Sequence, residues 1–486
     1  MSKRSLFFTY FLILLCLAAM YVLFASSLSP LYPNFYGWDS AFYRFAGLMI
    51  RRGKVLYRDL WDNKGPLLFF IQAFTTLGGT KNADITFSFL MQIASTFVTV
   101  VFLIRAGLEA DGKRMSFLRI LFSVGCAMAL FAIVMEGGNL SEDWSMPMIA
   151  CSLYLLVKYA VHADEKPLHP CRYAFIHGVC FALIAMIRIN NAVSLCAGVL
   201  IIGLWLVYRK KWRNLWENIL FGLLGAGAGL LPFFVYFLSK HALGDMIYAV
   251  FVYNLKYVGQ QTHGTYYGKD LAYRVLPIAV SFLLITFRLL RNRRIRLLDV
   301  ILLTVTAANA VMLQRINLYL HYYVIFVPVL LLVMLVCADL PKLPELLTVC
   351  LFAVFFARWD LILYSETSWE RKTSNRNAFA FTIPEEEKDP VIGFNSPAGI
   401  YLNTGLIPCS RYAAYQYVHF PVDPSMQEEF LEDIRREQPY WIISDSGHEP
   451  QFPEVMRILD ADYELIHSEY GLNYYRRSAA RSPDSP

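Results

Sequence analysis

The sequence predicts an α-helical polytopic membrane protein carrying a small α/β domain at its C-terminal end. Of the 486 residues, 57% are hydrophobic and only 17% charged, against about 45–50% and about 25% in soluble domains. Long apolar runs recur through the first three quarters, each close to the ~20 residues a helix needs to cross a hydrocarbon core. After about Tyr364 the pattern changes to charge, proline and turn residues with short β-type runs. The abundant aromatics, 30 Tyr, 36 Phe and 9 Trp, fit rings anchored at bilayer interfaces.

The expected spans are roughly 5–27, 84–104, 117–135, 145–160, 173–189, 191–208, 217–238, 271–289, 298–314, 322–338 and 345–358. The first follows Met-Ser-Lys-Arg, is long for a signal-peptide core and has no clean small-x-small site after it. It reads as an uncleaved span with a cytoplasmic N-terminus. Segment 65–80 decides the parity of all that follows. If it does not cross, the basic loops (Arg105 to Arg119, Lys158 to Arg172, Arg209 to Arg213, Arg288 to Arg296) fall on the side of the N-terminus, as the positive-inside rule requires. If it crosses, they all face outward. Segment 65–80 is therefore expected to be an interfacial or re-entrant helix on the outer face, with Pro66 in its first turn.

The formal charge of +6 comes mostly from those loop arginines and lysines, so it speaks for topology and not for nucleic acid. The nine cysteines lie mainly in apolar runs and include no CxxC pair, which indicates neither a zinc site nor a disulfide framework. GLLGAGAGLLP (222–232) lacks a preceding strand and the third spaced glycine of a dinucleotide loop; small residues at helical spacing within a span mean close helix packing. Without a P-loop or Rossmann signature, a cytoplasmic nucleotide-sugar donor is not indicated.

The C-terminal region, 366–478, contains PVIGF (390–394), YWIIS (440–444) and the amphipathic QEEFLEDIRRE (427–437), the makings of an extracytoplasmic α/β domain. Residues 479–486 read as a disordered tail.

The first outer loop, within 28–83, holds the densest charge: Arg44, Arg51, Arg52, Lys54, Arg58 and Lys64. Outer loops usually avoid such density. Either the loop is simply solvated, or its cations hold an anion such as a lipid phosphate. Asp39, before a helix-like stretch at 40–52, is a helix cap or a carboxylate placed to take a proton from, or position, an acceptor hydroxyl. Glu142 and Asp143 follow Ser141 at a helix start. They cap that helix, bind acceptor or metal, or orient Lys64. Arg188 lies within an apolar segment, where an arginine usually faces a cavity or partner. His321 and Tyr322 occupy another outer turn, as interface or acceptor residues.

Asp39, Phe42-Tyr43, Gly47, Arg52-Gly53 and YRDLWDNKGPLLFF (57–70) together resemble membrane glycosyltransferases of the GT-C class, most of all bacterial relatives of the protein O-mannosyltransferases and of the lipid A aminoarabinose transferase. The resemblance continues through GGNLSEDWSMP (137–147), the Arg188 region and HYYVIFVP (321–328), and so covers roughly 30–360. It implies a transmembrane glycosyltransferase domain at 1–365, a polyprenyl-phosphate sugar donor and a catalytic Asp in the first outer loop. That role carries over to Asp39, and the family's basic residue before proline to Lys64. This chain has Lys64-Gly65-Pro66 where the aminoarabinose transferases have Lys-Pro-Pro, and Asp39-Ser40 where mannosyltransferases often have Asp-Glu. Sugar and acceptor therefore stay open.

The chemistry expected is an inverting transfer to an extracytoplasmic glycan, lipid or protein in the cell membrane, with Asp39 as base or positioning group. Cations at the leaving oxygen favour a transition state in which phosphate gains charge; Lys64, Arg58 and Arg188 are the candidates. Asp59 and Asp62 would order the loop by pairing with Arg58 and Lys64. No cofactor is required and no metal cluster is evident, although carboxylates and phosphate together suit a divalent cation. A lipid-linked glycan flippase, or a polymerase using a lipid-diphosphate donor, is the alternative.

Overall fold

The computed structural model describes residues 3–30, 38–78, 81–111, 115–258, 269–292, 294–315, 319–337 and 383–478. The expected span 345–358 and the tail 479–486 lie outside them. The apolar runs form helices α1 (Lys3–Ala25), α4 (Lys81–Ala110), α5 (Phe117–Val134), α6 (Ser141–Ala160), α7 (Cys171–Arg188), α8 (Val193–Tyr208), α9 (Trp212–Ser239), α12 (Lys269–Asn292), α13 (Leu297–Arg315) and α14 (Val327–Cys337). Shorter helices sit between them: α2 (Trp38–Arg51) and α3 (Pro66–Thr75) after α1, and α10 (Leu243–Ile247) and α11 (Tyr253–Val258) after α9.

Among the described residues, seven helical segments are long and apolar enough to cross a bilayer. One of them, Cys171–Tyr208, contains two of the expected spans as a single stretch. Its helices are joined by a 3-10 turn, Ile189–Ala192, after Arg188 takes an extended backbone (φ −162°, ψ 115°) that breaks the α-helix. α6 includes Glu142, Asp143 and Lys158 and is less apolar than the seven; the apolar part of α1, Tyr10–Ala25, is shorter. The chain is thus a multi-pass membrane protein. α3 has ten residues with Pro66 in its first turn and no side-chain cap. At 1.5 Å per residue it is about 15 Å long, half of a ~30 Å hydrocarbon core, so it does not cross.

α7 and α9 pack through small residues. A Cβ on Gly178 would lie 2.0 Å from the Gly222 carbonyl oxygen, and one on Gly225 would lie 2.0 Å from that of Phe175. Both obstacles are backbone. Gly222, Gly225 and Gly229 are therefore a close-packing face, and they hold α7, with Arg188 at its end, against α9.

The C-terminal domain has a four-stranded sheet of β1 (Val391–Phe394), β2 (Trp441–Asp445), β3 (Tyr463–Glu469) and β4 (Leu472–Arg477) in the order β1-β2-β4-β3. β1 and β2 are parallel, and β4 is antiparallel to both β2 and β3. Helices α15 (Gly399–Thr404), α16 (Gln416–His419), α17 (Pro424–Glu437) and α18 (Pro453–Asp462) complete it. α17 is the expected amphipathic helix, with Met426, Phe430, Leu431 and Ile434 buried.

The core of this domain does not stand apart. One buried apolar cluster runs from Phe394, Phe430 and Ile442 through Tyr401 and Tyr412 into Phe42, Phe45, Trp61 and Phe69 of the segment between α1 and α4, and on to Met186 and Phe237 at the ends of α7 and α9. Phe45 stacks on Tyr401 at 4.8 Å, and the Trp61 amide donates to the Arg411 carbonyl at 2.8 Å.

Gly178→Val and Gly225→Val each force apart two helix backbones and should destabilise the folded protein by about 1–3 kcal/mol or more. Gly227, with nothing within 4 Å of an added Cβ, should accept valine with little change. Thermal unfolding in detergent of the three variants checks this, and equal losses in all three would remove the packing argument.

Candidate functional site

The segment between α1 and α4 folds back on itself so that Lys64 lies near enough to favour the Asp39 charge. Asp39 lies in the first turn of α2, inside the helix rather than at its cap. Its Oδ2 accepts the Tyr43 hydroxyl at 3.0 Å, one helical turn on. Lys64 precedes α3 and is oriented by Asp62, which accepts the Lys64 amide at 2.7 Å and faces its ammonium at 3.8 Å. The Tyr57 hydroxyl donates to the Lys64 carbonyl at 2.7 Å, and the ammonium sits 5.5 Å from the centre of the Tyr43 ring.

Gly65 fixes this loop to the membrane helices. Its N–H donates to the Ile187 carbonyl at 2.9 Å. A Cβ there would lie 2.2 Å from the backbone of Met186, so only glycine fits. The next residue along α7 is Arg188. Its Nη1 donates to Glu142 Oε1 at 2.7 Å, and its guanidinium lies 4.3 Å from the centre of the Tyr322 ring. Lys64 and Arg188 repel one another through space. Two cations from distant parts of the chain are therefore held side by side, each with its own carboxylate.

The carboxylates are sealed and the cations are not. The Asp62 and Glu142 side chains are 1% and 2% exposed, those of Lys64 and Arg188 17% and 18%. Burial pushes the Asp62 carboxyl above its usual range, with Lys64 pulling the other way. Burial also opposes charge on Lys64, but Asp62 and Asp39 outweigh it and hold the ammonium above its usual value. Burial works against the Asp39 charge too. Lys64, His321 and the hydroxyls of Tyr43 and Tyr415 prevail, and the carboxyl is held below its usual range. At neutral pH Asp39 is thus ionised and Lys64 charged.

The remaining sequence candidates separate. Glu142 belongs to the cluster through Arg188, with Ser141 Oγ donating to its second oxygen at 2.9 Å. Asp143 closes the start of α6 instead: it accepts the Leu140 amide and Gln92 Nε2, both at 3.2 Å. His321 and Tyr322 lie in a 3-10 turn, Leu320–Phe326, that begins the last described apolar segment. The His321 ring and amide both bond Glu136, at 2.6 and 3.0 Å.

Arg58 stands outside the cluster. It is exposed, bonded to Asp59 at 2.8 Å and to the Lys240 carbonyl at 3.0 Å, and so ties the loop to the end of α9. The donor role expected of it from sequence does not match this place: its charged neighbours are Asp59 and Asp245. Arg51, Arg52 and Lys54 are exposed at the far end of α2, and Arg44 is buried against Ser88 at 2.7 Å.

Several site residues escape a reading by sequence. Glu136 through Asn139 all have positive φ, a turn that the Gly137-Gly138 pair makes feasible and that presents Asn139 to three helices. The Asn139 side chain donates to Ser40 Oγ (2.9 Å) and accepts from Gln72 (2.7 Å) and Trp144 (3.1 Å). It thereby sets α2, and with it Asp39, against α3 and α6. Arg274 of α12 is buried with its guanidinium 5.3 Å from the centre of the Tyr323 ring. Tyr415 of the C-terminal domain reaches the Asp39 carboxylate. The twin glycines before Asn139 were the available signal; nothing local marks Tyr415. Among the described residues no three His, Cys, Asp or Glu side chains gather as a metal site, and Asp62 and Glu142 are already paired with cations.

No family model matches the chain, and no curated protein matches it in sequence. Solved structures do match it in fold. ArnT from Cupriavidus metallidurans, solved bound to undecaprenyl phosphate, superposes with a TM-score of 0.58 at 12% identity over 99% of each chain. AglB, an oligosaccharyltransferase from Archaeoglobus fulgidus solved with an inhibitory peptide and a dolichol-phosphate, gives 0.52 at 12% identity over 99% of this chain and 75% of its own. The fold is that of the GT-C membrane glycosyltransferases. Within this fold the segment between α1 and α4, the end of α7 and the C-terminal domain meet at one place, which is where the charged cluster lies.

Gly65→Ala drives a methyl group into the Met186 backbone, and Gly65→Pro also removes the bond to Ile187. Both should lower stability, alanine by about 1–3 kcal/mol and proline by more, while Arg58→Ala stays within about 0.5 kcal/mol of wild type. Urea or thermal unfolding of the three variants is the measurement, and a Gly65→Pro protein as stable as wild type would mean that the contact is not formed.

Proposed function

We propose that this protein transfers a sugar from a polyprenyl-phosphate-linked donor to an extracytoplasmic acceptor by a single, inverting displacement. The observation that carries the reading is the juxtaposition of Asp39, Lys64 and Arg188, with the two cations partly open and their counterions buried. A phosphate entering between Lys64 and Arg188 meets positive charge that is already desolvated and fixed in place, the condition under which such charge is most effective. The GT-C fold, shared with proteins solved on undecaprenyl phosphate and dolichol-phosphate, supports the same donor class.

In the step proposed, the acceptor nucleophile forms a bond to the sugar's anomeric carbon while the bond from that carbon to the phosphate oxygen breaks. The phosphate leaves with the electron pair, and its growing negative charge is met by Lys64 and Arg188. The acceptor's proton passes to the Asp39 carboxylate. An aspartate held below its usual pKa is a weak base, so Asp39 orients the nucleophile first and takes the proton late, when the acceptor has become acidic. Tyr43 and Lys64 keep the carboxylate ionised and in place. On the basic-loop rule the site faces away from the cytoplasm and the N-terminus lies inside. The C-terminal domain, placed at about 366–478, then lies outside with the site.

Asp39→Asn should reduce transfer by about 10²–10⁴-fold while the protein remains folded. Lys64→Met should weaken binding of undecaprenyl phosphate, read as loss of its thermal stabilisation, and Arg58→Ala should leave both properties intact. The test uses the protein in nanodiscs with a panel of tritium-labelled undecaprenyl-phosphate sugars and an acceptor extract of the source membranes. Wild-type rates from Asp39→Asn would refute its assigned role.

The sign of the pH dependence follows from the Asp39 shift. The ionised form works, and its pKa lies below the ordinary value of about 3.9. Activity should therefore persist from pH 7 to about pH 5 and fall only as pH drops through the lowered pKa. A rate that halves between pH 7 and pH 6 would assign the controlling ionisation to another group.

A further inference from the structure

The C-terminal domain places one aromatic side chain directly over the Asp39 carboxylate, and the backbone that does so is unusual. Tyr415 has φ 60° and ψ 28°, in the left-handed region that a bulky residue seldom occupies. Such a conformation persists only when its surroundings over-determine it. Here they do. Gln416 Nε2 donates to the Gly393 carbonyl at 2.7 Å, and its Oε1 accepts the Asn395 amide at 2.8 Å. Asn395 Oδ1 in turn accepts the Tyr417 amide at 2.7 Å. These bonds clamp the two residues that follow Tyr415 to the end of β1.

The clamp aims the ring at α2. Tyr415 packs edge-on against Phe42 with centroids 5.9 Å apart, and lies 6.5 Å from Trp38. Its phenol lies against the Asp39 carboxylate, whose charge pushes the Tyr415 hydroxyl well above the usual phenol range after burial has done the larger part. The hydroxyl is sealed from solvent, yet it closes no hydrogen bond of good geometry. Tyr43 already donates to Oδ2 of the same carboxylate. A buried hydroxyl held beside a carboxylate without good bonding geometry is left under-satisfied; a ligand group seated between the two would bond both.

We propose that Tyr415 is a positioning residue for the acceptor: its hydroxyl bonds the nucleophilic hydroxyl group as that group seats on Asp39, so that the C-terminal domain forms the acceptor-side wall of the site. This rests on the transferase reading above. The donor side is then built by the membrane portion alone, through Lys64 and Arg188, and the acceptor side by two phenols flanking one carboxylate. The acceptor group fits an alcohol better than a nitrogen nucleophile: a hydroxyl oxygen can donate to Asp39, accept from Tyr415 and keep a lone pair for the attack, whereas an amine nitrogen has a single lone pair, which the attack itself needs.

The test compares wild type, Tyr415→Phe and Asp39→Asn in nanodiscs with the labelled lipid-linked sugars, titrating the acceptor extract and the donor separately. Removing only the hydroxyl should raise the extract concentration for half-maximal transfer about tenfold, with the donor concentration for half-maximal transfer, the stabilisation by undecaprenyl phosphate and the melting temperature all unchanged. It should also move the acid limb of the rate profile to higher pH, because the phenol no longer favours the ionised Asp39. A Tyr415→Phe enzyme with wild-type acceptor dependence, or one in which donor and acceptor dependence change equally, would overturn the proposal and leave the transferase reading standing. A wild-type protein that transfers no sugar of the panel would overturn both, and product linked through nitrogen would overturn the alcohol assignment alone.

Discussion

A backbone hydrogen bond from Gly65 N–H to the Ile187 carbonyl is the constraint on which the charged cluster depends. It joins the segment before α3 to the last turn of α7 at a point where no side chain fits between the two backbones. Lys64 and Arg188 adjoin the two bonded residues, so the bond sets how near two like charges come. They repel, and the repulsion is offset by Asp62 on one side and Glu142 on the other. The glycine faces that pack α7 on α9 carry the constraint into the bundle, because an α7 free to slide would take Arg188 away from Lys64.

The burial asymmetry of the two ion pairs follows from the same geometry. A carboxylate sealed beside a partly open cation can neither reach water nor leave its partner. The cation keeps unfilled donors on its open side, and a second anion finds it there. Tyr322 beside Arg188 and Tyr43 beside Lys64 add rings that favour the cations where they stand. This arrangement is costly unless something anionic visits it, since buried pairs regain their desolvation cost only in part. The cost is borne beside α2 and α3, the short helices described between α1 and α4.

What the sequence made legible was chemistry with local context. Apolar run length separates spans from the ten-residue α3, and charge density singles out the loop holding Asp39 and Lys64. An arginine inside an apolar segment announces Arg188, and the acids after Ser141 announce Glu142. The same reasoning does not divide Glu142 from Asp143, because one helix start offers an identical prospect to both; the difference arises from Arg188 on α7 and Leu140 on the turn. It also enrols Arg58, whose spacing from Lys64 is right and whose direction is wrong. Tyr415 was out of reach for a different reason. Its place depends on β1, Asn395 and Gln416 together, and no short stretch of sequence encodes that meeting.

The shared apolar cluster therefore changes what the C-terminal domain is. A domain that merely hung from the last span would need a core of its own and a polar face toward the membrane portion. Here Tyr401, Tyr412 and Phe420 turn toward Phe45, Trp61 and the α10–α11 segment, and the Tyr253 hydroxyl bonds His419 at 2.8 Å within that packing. Asn254 of α11 also bonds the Asn63 carbonyl at 2.7 Å, directly before Lys64. A shift of this domain would disturb both walls of the charged cluster at once, Tyr415 over Asp39 and Asn63 beside Lys64. The domain is thus continuous with the site in packing, and the membrane helices alone do not complete it.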